Sequence, residues 1–159
     1  MRISLVEIGF LAAAAVVVAT ALPRCSGSPT KKLVVRANWT RTPGVLNPQV
    51  TQATIRSTIC VKGWTRTVRP PVSYTNALKA KQMPAYGERG PPSSVQEDHL
   101  ISLELGGNPT DPRNLWPEPY PRAAQVDQIE NQLNALICSG KISLAEGQRR
   151  ESALKHADG

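Results

Sequence analysis

The run Glu97 to Pro119, EDHLISLELGGNPTDPRNLWPEP, constrains the fold of this chain more than any other stretch. Val95 to Leu100 reads as a strand, and Ile101 to Arg113, broken by Gly106, Gly107, Pro109 and Pro112, reads as a long turn-rich excursion. Asn114 to Trp116 predicts a second strand, closed by Pro117 and Pro119. From Ala123 to Cys138 the apolar positions Val126, Ile129, Leu133, Leu136 and Ile137 recur at helical spacing, which leaves Asp127, Glu130, Asn131 and Asn134 on other faces. Strand, loop, strand and helix in succession predict an α+β fold.

The flanks supply helices. Asn47 and Pro48 form a turn signal, and Thr51 is placed to cap a short helix through about Cys60 that turns Val50, Ile55 and Ile59 inward. Gly63 and the Pro70, Pro71 pair favour extended or turn backbone. A second helix is expected over Tyr74 to Met83, ended by Pro84, and GERGPPSS from Gly87 to Ser94 is a loop. Gly140 stops the helix after Cys138. Ser143 with Glu146 forms a capping box for a last helix from Leu144 to about Lys155. His156 reads as tail.

The N-terminal part differs in character. Residues 1–21 have one early arginine, the core of an uncharged apolar stretch that runs from Ile8 to Leu22, and Ala19 and Ala21 in an A-x-A pattern, which reads as a secretory signal peptide. That stretch is shorter than the roughly 20 residues of a membrane span, so no stable span is expected in the mature form. Pro23 and Arg24 do not make a lipobox before Cys25. Residues 22–46 read as a basic flexible linker, and residues 47–157 as a single domain. Loss of the leader would remove Arg2 with Glu7 and keep the net charge of +7, an excess that favours anionic partners. Cys60 and Cys138 each close an apolar segment and are the expected disulfide, in keeping with export. The aromatic-poor chain, with Trp64 and Trp116 as its large core candidates, would gain from such a bond.

Chemistry concentrates at Asp98 and His99. A carboxylate can hold a hard divalent cation, and an imidazole with an ordinary pKa of about 6.5 can take a proton from water. Adjacent strand residues point to opposite faces, so the two converge only if the strand ends or bulges there, or if a phosphate lies between them. DHLISLELGG followed by NLWPEP resembles the HNH, or His-Me finger, nucleases. More widely, from TICVKGWTRTVRPPVSYTN to ICSG, the chain is similar to exported bacterial and phage proteins described as HNH-like.

That resemblance implies a ββα-metal core and a set of roles. Asp98 corresponds to the metal carboxylate, His99 to the general base, and Asn114 to the middle asparagine that orients the histidine through the backbone and steadies the loop. Asp127 or Asn131 on the helix would supply the remaining ligand, since Ala123 stands where the family often has histidine or asparagine; Glu130, beside Asp127, is either a further ligand candidate or part of a solvated helix face. Oxygen ligands favour magnesium, then manganese; zinc or nickel would call for an imidazole in the shell. Arg89, Arg113 and Arg122 are candidates to neutralise flanking phosphates. Glu97 is either a partner behind His99 or a strand-edge charge, and Glu104 belongs to the loop. The expectation is therefore a secreted or envelope-located, metal-dependent endonuclease on DNA or RNA. The rivals are a catalytically inactive basic module that binds nucleic acid or an acidic envelope polymer, and an envelope protein anchored by an uncleaved leader.

Overall fold

The computed structural model describes residues 36–158. The expected signal peptide and the first part of the expected linker lie outside the described residues. The elements, in order, are α1 (Trp64–Val68), α2 (Val72–Ala85), β1 (Val95–His99), β2 (Leu115–Pro119), α3 (Arg122–Cys138) and α4 (Leu144–Asp158), joined by short 3-10 turns. The protein is thus α+β, with a two-stranded antiparallel sheet in which Asp98 faces Trp116 and His99 faces Leu115.

β2 runs on through both prolines that were expected to close it. The Leu100 amide bonds the Asn114 carbonyl and the Tyr120 amide bonds the Ser94 carbonyl, so the hydrogen-bonded pairs fall at even positions of β2. Pro117 and Pro119 occupy the pairs between, where a missing N–H costs the ladder nothing. Between the strands, the loop folds inward rather than out to solvent. Leu100, Leu103 and Leu105 are buried, and Ile101 and Leu105 pack with Val50, Ile55, Ile59, Leu133, Ile137 and Leu144 in the main core. Gly107 makes this possible: a Cβ there would lie 1.7 Å from the Ile101 carbonyl oxygen.

The segment 51–60 is not the expected helix. Val50, Ile55 and Ile59 are buried as predicted, but the backbone is a chain of turns with one 3-10 turn at Ile55–Ser57. Its threonines compete for the backbone: Thr54 Oγ1 donates to the Gln49 carbonyl and accepts from the Thr51 amide, and Thr58 Oγ1 donates to the Thr54 carbonyl. α2 carries Pro84 within its last turn and ends one residue later. Order also begins before Asn47. Thr42 is fully buried, Gly44 N–H bonds the Arg113 carbonyl, Asn108 N–H bonds the Val45 carbonyl, and Leu46 bridges Gly107. Residues 37–46, a turn at 39–41 followed by extended backbone, therefore brace the inter-strand loop, a role that their polar composition does not announce.

Cys60 and Cys138 form a disulfide, with Cα atoms 5.6 Å apart. It ties the turn region that precedes α1 to the end of α3. Among the described residues no helix is long and apolar enough to cross a membrane.

Candidate active site

β1 ends at His99, and this solves the facing problem of neighbouring strand residues: both Asp98 and His99 line one cleft of about 370 Å³. Thr65 and Arg69 form one wall, Glu104 comes from the loop, and Asp127, Glu130 and Asn131 come from α3. The successive turns of α3 place its three residues on the same side. Sequence reasoning had placed six of these groups near a site, namely Asp98, His99, Asp127, Asn131 and, more loosely, Glu104 and Glu130.

His99 is buried, and its Nε2 lies 3.0 Å from the Pro109 carbonyl oxygen. A carbonyl only accepts, so Nε2 carries the hydrogen and Nδ1 bears the lone pair of the neutral ring. Burial holds the imidazole below its usual pKa range against the opposing pull of Asp98 and the Pro109 bond, with Arg69 and Lys155 adding to the depression. Asn114, fully buried, fixes the loop that carries Pro109. Its Oδ1 accepts from Ile101 N–H at 3.0 Å, and its Nδ2 donates to the Ile101 and Asn108 carbonyls, each at 3.0 Å.

Lys155, near the end of α4, organises the carboxylates. Its fully buried ammonium donates to Asp98 Oδ2 at 2.8 Å, the His99 carbonyl at 2.5 Å and Glu130 Oε1 at 2.6 Å. Three donors are thereby spent, and Glu151 at 3.6 Å adds charge while accepting from Ser102 N–H. Burial opposes ionisation of Asp98, yet the charge of Lys155 and its hydrogen bond hold the carboxyl well below the usual range. Burial first, then the charge of Asp98, pushes Glu118 up to about 9. Neutral Glu118 can donate its proton to Asp98, which accounts for a fully buried carboxyl that accepts no hydrogen bond. Burial pushes Glu130 up to about 9 and Glu151 up to about 7. One ammonium and one firmly ionised carboxylate thus sit at the centre of a largely neutral cluster.

Neither Lys155, Glu118, Glu151 nor Arg69 was singled out from sequence. Glu118 lies on the Asp98 side of the sheet by the strand register, and was hidden because the second strand was expected to end at Pro117. Lys155 gave only a Glu151 pair at i, i+4, a spacing common on solvated helix faces. His156, read as tail, is buried, stacks on Trp39 with ring centroids 3.5 Å apart, and faces the Thr42 carbonyl. Glu97 is bonded to neither His99 nor the cleft. Its oxygens are buried without a hydrogen-bond partner, and burial pushes it up to about 8 against the opposing charge of Lys79. Of the expected phosphate-binding arginines, Arg113 is paired with Asp111 at 2.7 Å, Arg122 donates to Gln125, and neither these nor Arg89 lines the cleft.

A divalent cation in this cleft would meet mostly oxygen. Asp98 Oδ1 keeps one long contact of 3.4 Å from Gln96, Asp127 is exposed, and Asn131 spends its Nδ2 on the Asp127 carbonyl while its Oδ1 is uncommitted. Among the described residues, no three histidine, cysteine, aspartate or glutamate side chains are spaced to hold a metal by themselves. Two carboxylates and an amide fit magnesium or manganese, which bind few protein ligands and keep water. No family model, curated protein or solved structure matches this chain.

Proposed function

We propose that this cleft hydrolyses phosphodiester bonds of nucleic acid, with His99 as general base. One observation carries the reading: His99 is held at the end of β1 with Nε2 bonded to Pro109 and Nδ1 left as the basic atom, in the same cleft as Asp98, Asp127 and Asn131. In a ββα-metal core, Asp98 and Asp127, with Asn131 as third donor, would hold the magnesium or manganese ion. Bound there, the ion would stabilise charge that develops on the phosphate and leaving oxygens.

The rest is done by this chain's own groups. His99 Nδ1 takes the proton of the attacking water, and the Pro109 carbonyl steadies the imidazolium through Nε2–H. Asn114 keeps the Pro109 loop in place. Lys155 keeps Asp98 ionised with its Oδ1 unclaimed by the ammonium. The net charge of +7 suits a polyanionic substrate, and phosphate contacts would make affinity salt-dependent. The disulfide and the apolar N-terminal stretch support action outside the cytoplasm.

The ion pair between Lys155 and Asp98 favours a second reading, a basic module that binds nucleic acid without cutting it. One experiment separates the two. The disulfide-intact protein and His99→Ala are incubated with plasmid DNA and single-stranded RNA in magnesium, manganese or EDTA. Metal-dependent cutting that falls by about 10²–10⁴-fold in the mutant is the expected result. Salt-sensitive binding without cutting in either metal, equal in both proteins, would select the binding module.

A further inference from the structure

Among the described residues, Arg69 is the one arginine or lysine that lines the cleft, whose other lining residues include Asp98, Glu104, Asp127 and Glu130. It lies just past α1, with an extended backbone, and Pro70 and Pro71 follow it directly. Its guanidinium makes no hydrogen bond or ion pair with any described residue, in contrast to Arg113 and Arg150, which are both paired with carboxylates. Its charge nevertheless acts on three cleft residues, His99, Glu104 and Asp127. Thr65, one helical turn earlier, lines the same wall and presents a hydroxyl.

An exposed arginine beside so many carboxylates would ordinarily pair with one of them. Here Asp98 and Glu130 are committed to Lys155, while Glu104 and Asp127 feel the charge of Arg69 without a hydrogen bond or ion pair to it. The position of Arg69 is also fixed from behind. The Cys60–Cys138 disulfide and the bond from Asn134 Nδ2 to the Ile59 carbonyl hold the segment leading into α1 against α3, the helix that carries Asp127 and Asn131.

We propose that Arg69 is the substrate-positioning residue of this cleft, gripping one phosphodiester of a nucleic-acid strand through its guanidinium so that the phosphorus lies before His99. The assignment rests on the phosphodiester reading of the site. A guanidinium offers a planar fork to the two non-bridging oxygens of a single phosphate, which an ammonium cannot match. An anion entering the cleft meets Asp98, Glu104 and Asp127, and a cationic partner offsets the repulsion of whichever of them is ionised.

The test measures fluorescence anisotropy of a labelled single-stranded oligothymidylate, with calcium in place of magnesium to suppress cutting, over a range of salt. Wild type, Arg69→Gln, Arg69→Lys and Arg150→Gln are compared, with cleavage in magnesium run alongside. Arg69→Gln is expected to weaken binding about tenfold and to lower the salt slope by about one phosphate contact. Arg69→Lys should recover part of the affinity, and Arg150→Gln, on α4 and paired with Glu146, should bind as wild type does. Arg69→Gln binding within twofold of wild type at an unchanged slope overturns the assignment, as does a folded wild type that binds no oligonucleotide. Arg69-dependent binding without cutting in any metal leaves the phosphate contact of Arg69 standing and removes the hydrolytic reading. Cutting that is indifferent to Arg69→Gln does the reverse.

Discussion

At the scale of single residues, two side chains set the character of the cleft. His99 is depressed below its ordinary pKa by burial, so its neutral, basic form persists into more acidic solution than a free imidazole allows. If it is the base, the acid limb of kcat/KM should fall below pH 6.5, and a pH–rate profile that loses activity only above that value would remove His99 from the role. Lys155 is the other. Lys155→Met leaves Asp98 and Glu130 buried without their cation, and removing one partner of a buried pair costs about 3–5 kcal/mol. Urea unfolding of the disulfide-intact variant should show a loss of that order, and a loss under about 1 kcal/mol would mean that the cluster re-protonates without strain. The sequence displayed Asp98 and His99 as neighbours, a pattern with meaning in itself. It did not display Lys155, because nothing local distinguishes a lysine in the last turn of an exposed helix from one driven into the core.

At the scale of elements, the cleft is the gap between α1 and α3, spanned at its base by the end of β1 and the inter-strand loop. Asn134 connects these parts by donating to the Glu104 carbonyl at 2.7 Å and the Ile59 carbonyl at 3.3 Å. The disulfide reinforces the same joint across a sequence separation of 78 residues. Replacing Cys60 and Cys138 by serine should lower stability by about 2–5 kcal/mol, and should weaken oligonucleotide binding in addition if the disulfide sets the position of Arg69. Thermal unfolding and the anisotropy assay, run on the same preparation, check both parts. α3 and α4 were readable because apolar periodicity and the Ser143 capping signal are local; the Glu146 N–H does bond Ser143 Oγ, at 3.2 Å. The expected helix before Cys60 was not realised because threonine hydroxyls took the backbone partners that a helix needs, a competition that inward apolar spacing alone does not reveal.

For the molecule as a whole, the core is unusually rich in ionisable groups. Glu97, Glu118 and Glu130 have folded-state values of about 8, 9 and 9, above the ordinary carboxyl value near 4.5. Between those limits the folded protein holds more protons than the unfolded chain, so stability is intact below the unfolded value and declines as pH rises toward 9. Asp98 is shifted the other way and withdraws stability only under strong acid. The melting temperature should therefore be highest near pH 5 and fall toward pH 9, and Glu118→Gln should flatten part of that slope; a melting temperature that rises steadily from pH 5 to 9 would contradict the buried-proton picture. Sequence by itself determined the order of strand, loop, strand and helix, the disulfide partners, and the neighbouring acid and imidazole, because each is written in local periodicity, turn chemistry or residue type. Tertiary structure alone decided that residues 37–46 brace the loop, that Lys155 reaches Asp98 from 57 positions away, and that Arg69 stands over the cleft. Burial, ionisation and the meeting of distant side chains depend on how elements pack, and the chemistry of a residue type does not specify its neighbours across the fold.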